Sequence, residues 1–316
     1  MTKGEILMLV QDFLNNWLST YGKHNLRDTT YKEYLRHITQ YINPRIGNVE
    51  IQELTPLELQ DFLYDVLENG RQRGDNQQLN PKTVIQTQRI LHKAFSNAVK
   101  LQIIKTNPAD FVDIPKKKKF KYNILLGDEL REFIKAFEGL HIYNAVVLAL
   151  LLGLRRGELL ALTFEDINFE DKSIYINKSV VNGRDRQVKL DTTKTDEERI
   201  IILSDDMIKF LKEIYKENNY NVKSCVVPNM NGKMYNPASF SRLYTYSRDS
   251  RKLPKVRFHD LRHIHATILY KSGVQAKVIQ ERLGHSNIST TLDIYTHLFK
   301  EDQQQAANII SRNILK

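Results

Sequence analysis

The stretch Glu281-Arg282-Leu283-Gly284-His285-Ser286-Asn287-Ile288-Ser289-Thr290-Thr291-Leu292-Asp293-Ile294-Tyr295 decides how the rest of this chain is read. Its first part closes a helical pattern that begins at Val274, and Gly284 supplies the stop that a left-handed C-terminal turn requires. His285 follows that glycine, and Tyr295 stands ten residues later in a second helical stretch. Alone, such a tyrosine reads as a half-buried helix residue. As a nucleophile it is poor at its free pKa of about 10. It needs a good electrophile and neighbours that neutralise charge, and a phosphodiester gripped by arginines meets both needs.

Upstream lies His259-Asp260-Leu261-Arg262-His263-Ile264-His265, at the start of a helix expected over 260–271 and ended by Gly273. His259 and Arg262 are three apart and share a helix face. A rival reading is metal binding by His259 and His263, four apart as in a zinc-hydrolase helix. That pattern wants glutamate where Asp260 stands, and no third ligand is announced. Further upstream, Gly153-Leu154-Arg155-Arg156-Gly157-Glu158 follows the apolar helix Ala145 to Leu152. Glu158, three residues past Arg155, is placed to orient that guanidinium, the group suited to a bidentate grip on phosphate. The alternative is an Arg-Arg step on the surface. Between these segments short β runs are expected at Ile174 to Ile176, Val188 to Leu190 and Ile200 to Leu203, as one small antiparallel sheet. Lys194 lies in the turn before the last of them, where most lysines only face solvent.

The 316 residues suggest two domains. Residues 1–110 read as all-helical, with helices at Leu7 to Leu18, after Thr29 and Thr30, from Thr55-Pro56 and from Asn80-Pro81. On the last of these, Lys82, Arg89, Lys93 and Lys100 fall within about 40° of one another on the helical wheel, opposite Leu91, Ala94, Phe95 and Ala98. Such a cation stripe fits a DNA backbone or an ordinary solvated face. Lys116, Lys117, Lys118 and Lys119 follow Pro115 and read as an extended linker, solvated or crossing phosphates.

Charge and composition narrow the class. Lys and Arg number 47 against 37 acids, a net charge of +10, and residues 71–120 hold 11 basic against 3 acidic side chains. The excess favours a polyanionic partner. The one cysteine, Cys225, rules out an internal disulfide and a cysteine zinc cage, and reads as a small buried hydrophobe. No secretion signal stands at the start. The longest apolar run falls far short of the ~20 residues of a membrane span, so a cytoplasmic protein is expected.

Taken in order, Arg155, Lys194, His259-x-x-Arg262, Gly284-His285 and Tyr295 resemble the tyrosine recombinases, the phage integrase family, closest to integrases of Gram-positive phages and conjugative transposons. The resemblance covers roughly residues 7–300. It implies a mainly α fold: a helical, SAM-like core-binding domain over 1–112, a basic linker over 113–122, and a mixed α/β catalytic domain over 123–316 with a small antiparallel sheet and a C-terminal tail helix. It implies Arg155 and Arg262 as phosphate clamps, Lys194 as general acid, His259 as proton-transfer partner, His285 as hydrogen-bond donor, Tyr295 as nucleophile and Glu158 as support for Arg155.

The implied activity is site-specific strand exchange through a 3′-phosphotyrosyl link and a Holliday junction, integrating or excising a mobile element, with neither metal nor cofactor. The implied partners are double-stranded DNA sites, three further copies in a tetramer, and accessory excision or DNA-bending proteins. The DNA would be held in a C-shaped clamp, with the Lys82 to Lys100 face toward it, at the bacterial nucleoid. Alternatives are a chromosome-dimer-resolving recombinase of the same family and a non-catalytic DNA-binding protein. Many relatives carry an arm-binding domain before the core-binding unit. Here the core-binding pattern starts almost at Met1, through lack of that domain or through trimming, so binding at distant arm sites is not expected. Ile202 stands where relatives often have proline. The tail, with Ala306, Ala307, Ile309, Ile310 and Ile314, is expected to form an amphipathic helix that packs on a neighbouring protomer or on its own domain.

Overall fold

The computed structural model describes residues 7–70, 78–115, 123–182, 187–192, 198–284, 287, 307–308 and 310–315. The chain divides into two compact units, Met1–Phe120 and Lys121–Lys316.

In the first unit, α1 (Val10–Trp17) runs through a π-turn at Leu18–Gly22 into the short α2 (Lys23–Asn25). In the same way α3 (Asp28–His37) runs through Ile38–Ile42 into α4 (Asn43–Ile46). Then come α5 (Pro56–Asn69) and α6 (Pro81–Lys100). Two expected starts move. Leu7 lies outside α1 and is 66% exposed. The segment just before α1 is tied strand-like to residues 49–51, with Ile51 N–H donating to Met8 O at 2.9 Å, so the helix starts only at Val10. Thr29 and Thr30 lie inside α3, which begins at Asp28, an acidic residue favoured at the positive end of the helix dipole. The α5 start is a capping box: Thr55 Oγ1 accepts from Glu58 N–H, and Glu58 accepts from Thr55 N–H at 2.9 Å.

The α6 stripe has the predicted sidedness. Leu91, Ala94, Phe95 and Ala98 are fully buried, while Lys82, Arg89 and Lys100 are exposed. Lys93 differs. It is half-buried, with Nζ 5.4 Å from the Tyr21 ring centroid and 6.0 Å from that of Tyr34, a cation–π contact. Lys116, Lys117, Lys118 and Lys119 lie outside the described residues.

The second unit opens with α7 (Gly127–Lys135), α8 (Tyr143–Leu152) and α9 (Arg156–Ala161). Helix α8 is apolar on all sides and therefore central; Ala145, Val146, Leu148, Ala149 and Leu152 are each at most 1% exposed. Among the described residues five strands follow: β1 (Ile167–Asn168), β2 (Ser173–Ile176), β3 (Lys178–Asn182), β4 (Val188–Thr192) and β5 (Arg199–Ile202). They form two antiparallel sheets rather than one, β1-β2-β5 and the β3-β4 hairpin. Strand β3 escapes a hydrophobicity scan because Val180 and Val181 sit among Lys178, Ser179 and Asn182; its pairing with β4, Val180 opposite Leu190, holds it.

Helices α10 (Asp205–Glu217), α11 (Pro237–Ser250), α12 (Asp260–Lys271) and α13 (Ala276–Leu283) follow. Helix α13 begins two residues later than its apolar pattern. Val274 N–H still closes α12 through Leu269 O at 3.1 Å, and Gly273 has φ +81°, a Schellman turn. Cys225 is buried. Of the tail, residues 307–308 and 310–315 are helical, and Ile310 and Ile314 are 60% and 73% exposed. Ala306 and Ile309 lie outside the described residues.

Candidate active site

Local sequence sets the first half of the site. Gly153, at φ +65°, caps α8, and a Cβ there would come within 2.6 Å of the His265 ring and 2.8 Å of Leu283. The glycine thus lets α8, α12 and α13 meet closely. Three residues later the chain enters α9, and Glu158 reaches back to Arg155 just before it. Its Oε2 accepts the Arg155 backbone N–H at 2.9 Å, and its Oε1 accepts Arg155 Nη1 at 2.7 Å. The Arg-Arg step then splits. Arg155 stays in the site, while Arg156 donates to Ser241 Oγ on α11.

Long-range contacts bring the rest. Arg262, on the first turn of α12, is 2% exposed. It donates to Gly153 O at 2.8 Å and to Leu283 O at 2.6 Å. Arg155 Nη2 donates to Gly284 O. An arginine that the sequence reading missed, Arg199 at the start of β5, donates to Glu158 Oε2 at 2.6 Å and to Arg282 O at 2.9 Å. No sequence pattern marked it: only in the folded strand does Arg199 share a face with Ile201, which is buried, while Ile200 and Ile202 are exposed.

The electrostatics are unbalanced. Among the described residues gathered here, one carboxylate stands with three guanidiniums: Glu158 pairs with Arg155 and Arg199, while Arg262 donates to backbone carbonyls. Burial alone would raise the Glu158 pKa, but the hydrogen bond and charge of Arg199, then the charge of Arg155, hold it down at about 2. Burial and the nearby Arg155 charge lower Arg262 to about 9, still charged at neutral pH. Two positive charges are left without an anion from these residues, so the site attracts one. His259 stands beside them; partial desolvation and the charge of Arg262 lower it to about 4. It is exposed, so solvent moderates that shift, and it is neutral at physiological pH.

The metal reading loses its acid. The Asp260 carboxylate is 1% exposed and taken by Arg257, at 2.9 Å from the backbone N–H and 2.7 Å from Nη2. Among the described residues no group of three or more His, Cys, Asp or Glu side chains is placed to hold a metal ion. Lys194, His285 and Tyr295 lie outside the described residues.

Three buried histidines make a prediction about acid. His37, His263 and His265 are each lowered from 6.5 to about 4, first by burial. A depressed histidine favours the neutral folded form, so its contribution is complete above pH 6.5 and is lost as pH falls through 4. The melting temperature is expected to be flat above pH 7 and to fall steeply between 6.5 and 4. Each histidine adds up to ~1.4 kcal/mol per pH unit. Thermal melts across that range check it, and a flat profile down to pH 4.5 contradicts it.

Comparison with known proteins places the chain. Residues 123–302 match the phage integrase family, and residues 9–66 match the phage integrase N-terminal SAM-like domain. The ICEBs1 integrase of Bacillus subtilis (strain 168) is 30% identical over 283 residues, which cover 86% of this chain and 74% of the relative. Among solved structures, the Tn1549 transposon integrase in complex with a circular intermediate DNA superposes with a TM-score of 0.81 at 22% identity, covering 96% of this chain and 99% of that one. A lambda integrase tetramer bound to a Holliday junction gives 0.73 at 18% identity, covering 92% and 78%. These two show the fold. Among the described residues no helix is long and apolar enough to cross a membrane. The chain belongs to the phage integrase family: it is a tyrosine recombinase, a DNA strand-cleaving and rejoining enzyme related to integrases of Gram-positive phages and transposons.

Proposed function

We propose that this recombinase integrates and excises a mobile element, with Tyr295 attacking a scissile phosphate to leave a 3′-phosphotyrosyl link and a free 5′-hydroxyl. The link conserves the bond energy, so no nucleotide cofactor is consumed. Arg155 and Arg262 oppose the charge that builds on the non-bridging oxygens. Lys194 protonates the departing 5′ oxygen, which is a poor leaving group as an alkoxide. Neutral His259 accepts the tyrosine proton, and His285 donates a hydrogen bond to the phosphoryl oxygen. The observation that carries this reading is the pair of arginines anchored on the neighbouring carbonyls Leu283 O and Gly284 O, with, among the described residues gathered there, a single carboxylate beside three guanidiniums.

Residues 1–112 act as the core-binding domain, 113–122 as the basic linker and 123–316 as the catalytic domain. The duplex backbone meets Lys82, Arg89, Lys93 and Lys100 on α6, and Lys116, Lys117, Lys118 and Lys119 in the linker. Four protomers assemble on two DNA sites, as in the lambda integrase tetramer on a Holliday junction, with accessory DNA-bending or excision proteins setting direction. The protein works in the cytoplasm.

The test uses a nicked suicide duplex carrying the joined ends of the element that encodes the chain, incubated in EDTA. A covalent adduct is expected on a denaturing gel, and peptide mapping is expected to place the DNA on Tyr295. Tight, salt-sensitive binding without an adduct, or an adduct on another residue, would sink the assignment.

A further inference from the structure

The Arg199 guanidinium makes three hydrogen bonds, against two each for Arg155 and Arg262. Its Nη2 donates to Glu158 Oε2 at 2.6 Å, its Nη1 reaches Glu158 Oε1 at 3.3 Å, and its Nε donates to Arg282 O at 2.9 Å. Its side chain is 8% exposed. With these bonds made, little of the guanidinium is free for DNA.

What it grips is the end of α13. A helix leaves its last four carbonyls without intrahelical partners, and they carry the negative end of its dipole. Here three consecutive carbonyls each receive a guanidinium: Arg282 O from Arg199, Leu283 O from Arg262 and Gly284 O from Arg155. Gly284 turns the chain at φ +65°, and a Cβ there would lie 2.9 Å from Arg199 Nη1 and 3.2 Å from its Cδ. Glycine and arginine are therefore fitted to one another. The next residue in the chain is His285.

We propose that Arg199 is a positioning residue of the strand-cleavage step: by clamping the end of α13 to Glu158 it sets the direction in which the chain leaves Gly284, and so where His285 is presented to the phosphate. The inference rests on the roles given above to Tyr295 and His285. It separates the three arginines by task. Arg155 and Arg262 cap the helix and retain donors for the phosphate. Arg199 commits its donors to the scaffold.

The experiment is a double-mutant cycle on single-turnover adduct formation at saturating DNA, normalised to the active fraction so that misfolded protein does not count. Arg199→Lys keeps the charge, but one nitrogen cannot serve both Glu158 and Arg282 O. It is expected to slow adduct formation about 100-fold, the size of effect seen for lost supporting partners, with the DNA Kd within about threefold of the parent. In a His285→Ala background the same change should cost less than about threefold more. In a Lys194→Ala background it should keep its full cost. Gly284→Ala, which crowds Arg199 from the other side, is expected to repeat the pattern and serves if Arg199→Lys does not fold. An unchanged rate, or full additivity with His285→Ala, overturns the proposal even if the melting temperature drops. A parent protein that forms no Tyr295 adduct refutes the strand-transfer reading itself. A parent that forms the adduct, with additive variants, refutes only the role of Arg199.

Discussion

Arg262→Ala is expected to slow covalent adduct formation about 10³-fold while the protein still binds DNA. Two losses combine. The first is the fixed positive charge proposed to face the phosphate; removing one preorganised donor of this kind costs about 10²–10³ in rate. The second is structural. Arg262 Nη1 and Nη2 satisfy Gly153 O and Leu283 O, and a buried carbonyl left unpaired costs about 1–3 kcal/mol. Those carbonyls close α8 and α13, so the same change loosens the segment from which His285 follows. Arg262→Lys separates the contributions. It restores the charge, but an ammonium does not reproduce the planar fork that reaches two carbonyls 109 and 21 residues away in sequence. Lysine is therefore expected to recover less than a tenth of the parent rate. Single-turnover kinetics on the suicide duplex, with a melting curve for each variant, check both statements. An Arg262→Lys chain near parental activity would show that charge alone is needed.

Glu158→Ala is expected to destabilise the second unit by about 3–5 kcal/mol, the range for breaking a buried ion pair from one side. Its carboxylate is 1% exposed and holds two guanidiniums, so alanine leaves Arg155 and Arg199 in mutual repulsion with no counter-ion. For a unit of this size a loss of that magnitude lowers the melting temperature by about 10 °C or more. Glu158→Gln keeps the shape and one acceptor and is expected to fall between. The sign of the pH dependence is fixed. Glu158 titrates at about 2 in the folded protein against its ordinary 4.5. Its contribution is complete above pH 4.5 and is lost as pH falls through 2. The gap in melting temperature between parent and Glu158→Gln should therefore be widest near neutrality and shrink on acidification below pH 4.5. A gap that widened toward acid would contradict the pairing.

The helices were legible wherever their ends are written in local chemistry. Thr55 before Pro56, Asn80 before Pro81, Gly153 and Gly284 each place a boundary within one or two residues of the observed one. The Arg155–Glu158 pair was legible for the same reason, because three residues across a helix start leave one geometry for the contact. Where a boundary depended on a distant segment, the reading slipped. The tie between Ile51 and Met8 delays α1, and the pairing with β4 makes a strand of Lys178–Asn182.

By itself, the sequence determined the fold class and the family, because order and spacing along the chain encode them. Tertiary structure alone decided that Arg199 joins the site. Ile200, Ile201 and Ile202 are equally apolar, so alternation within Arg199–Ile202 has no visible phase until β2 pairs with β5 and buries Ile201. The partners of Arg199 lie 41 and 83 residues away. One of them is a backbone carbonyl, a group that every residue owns and no sequence pattern marks.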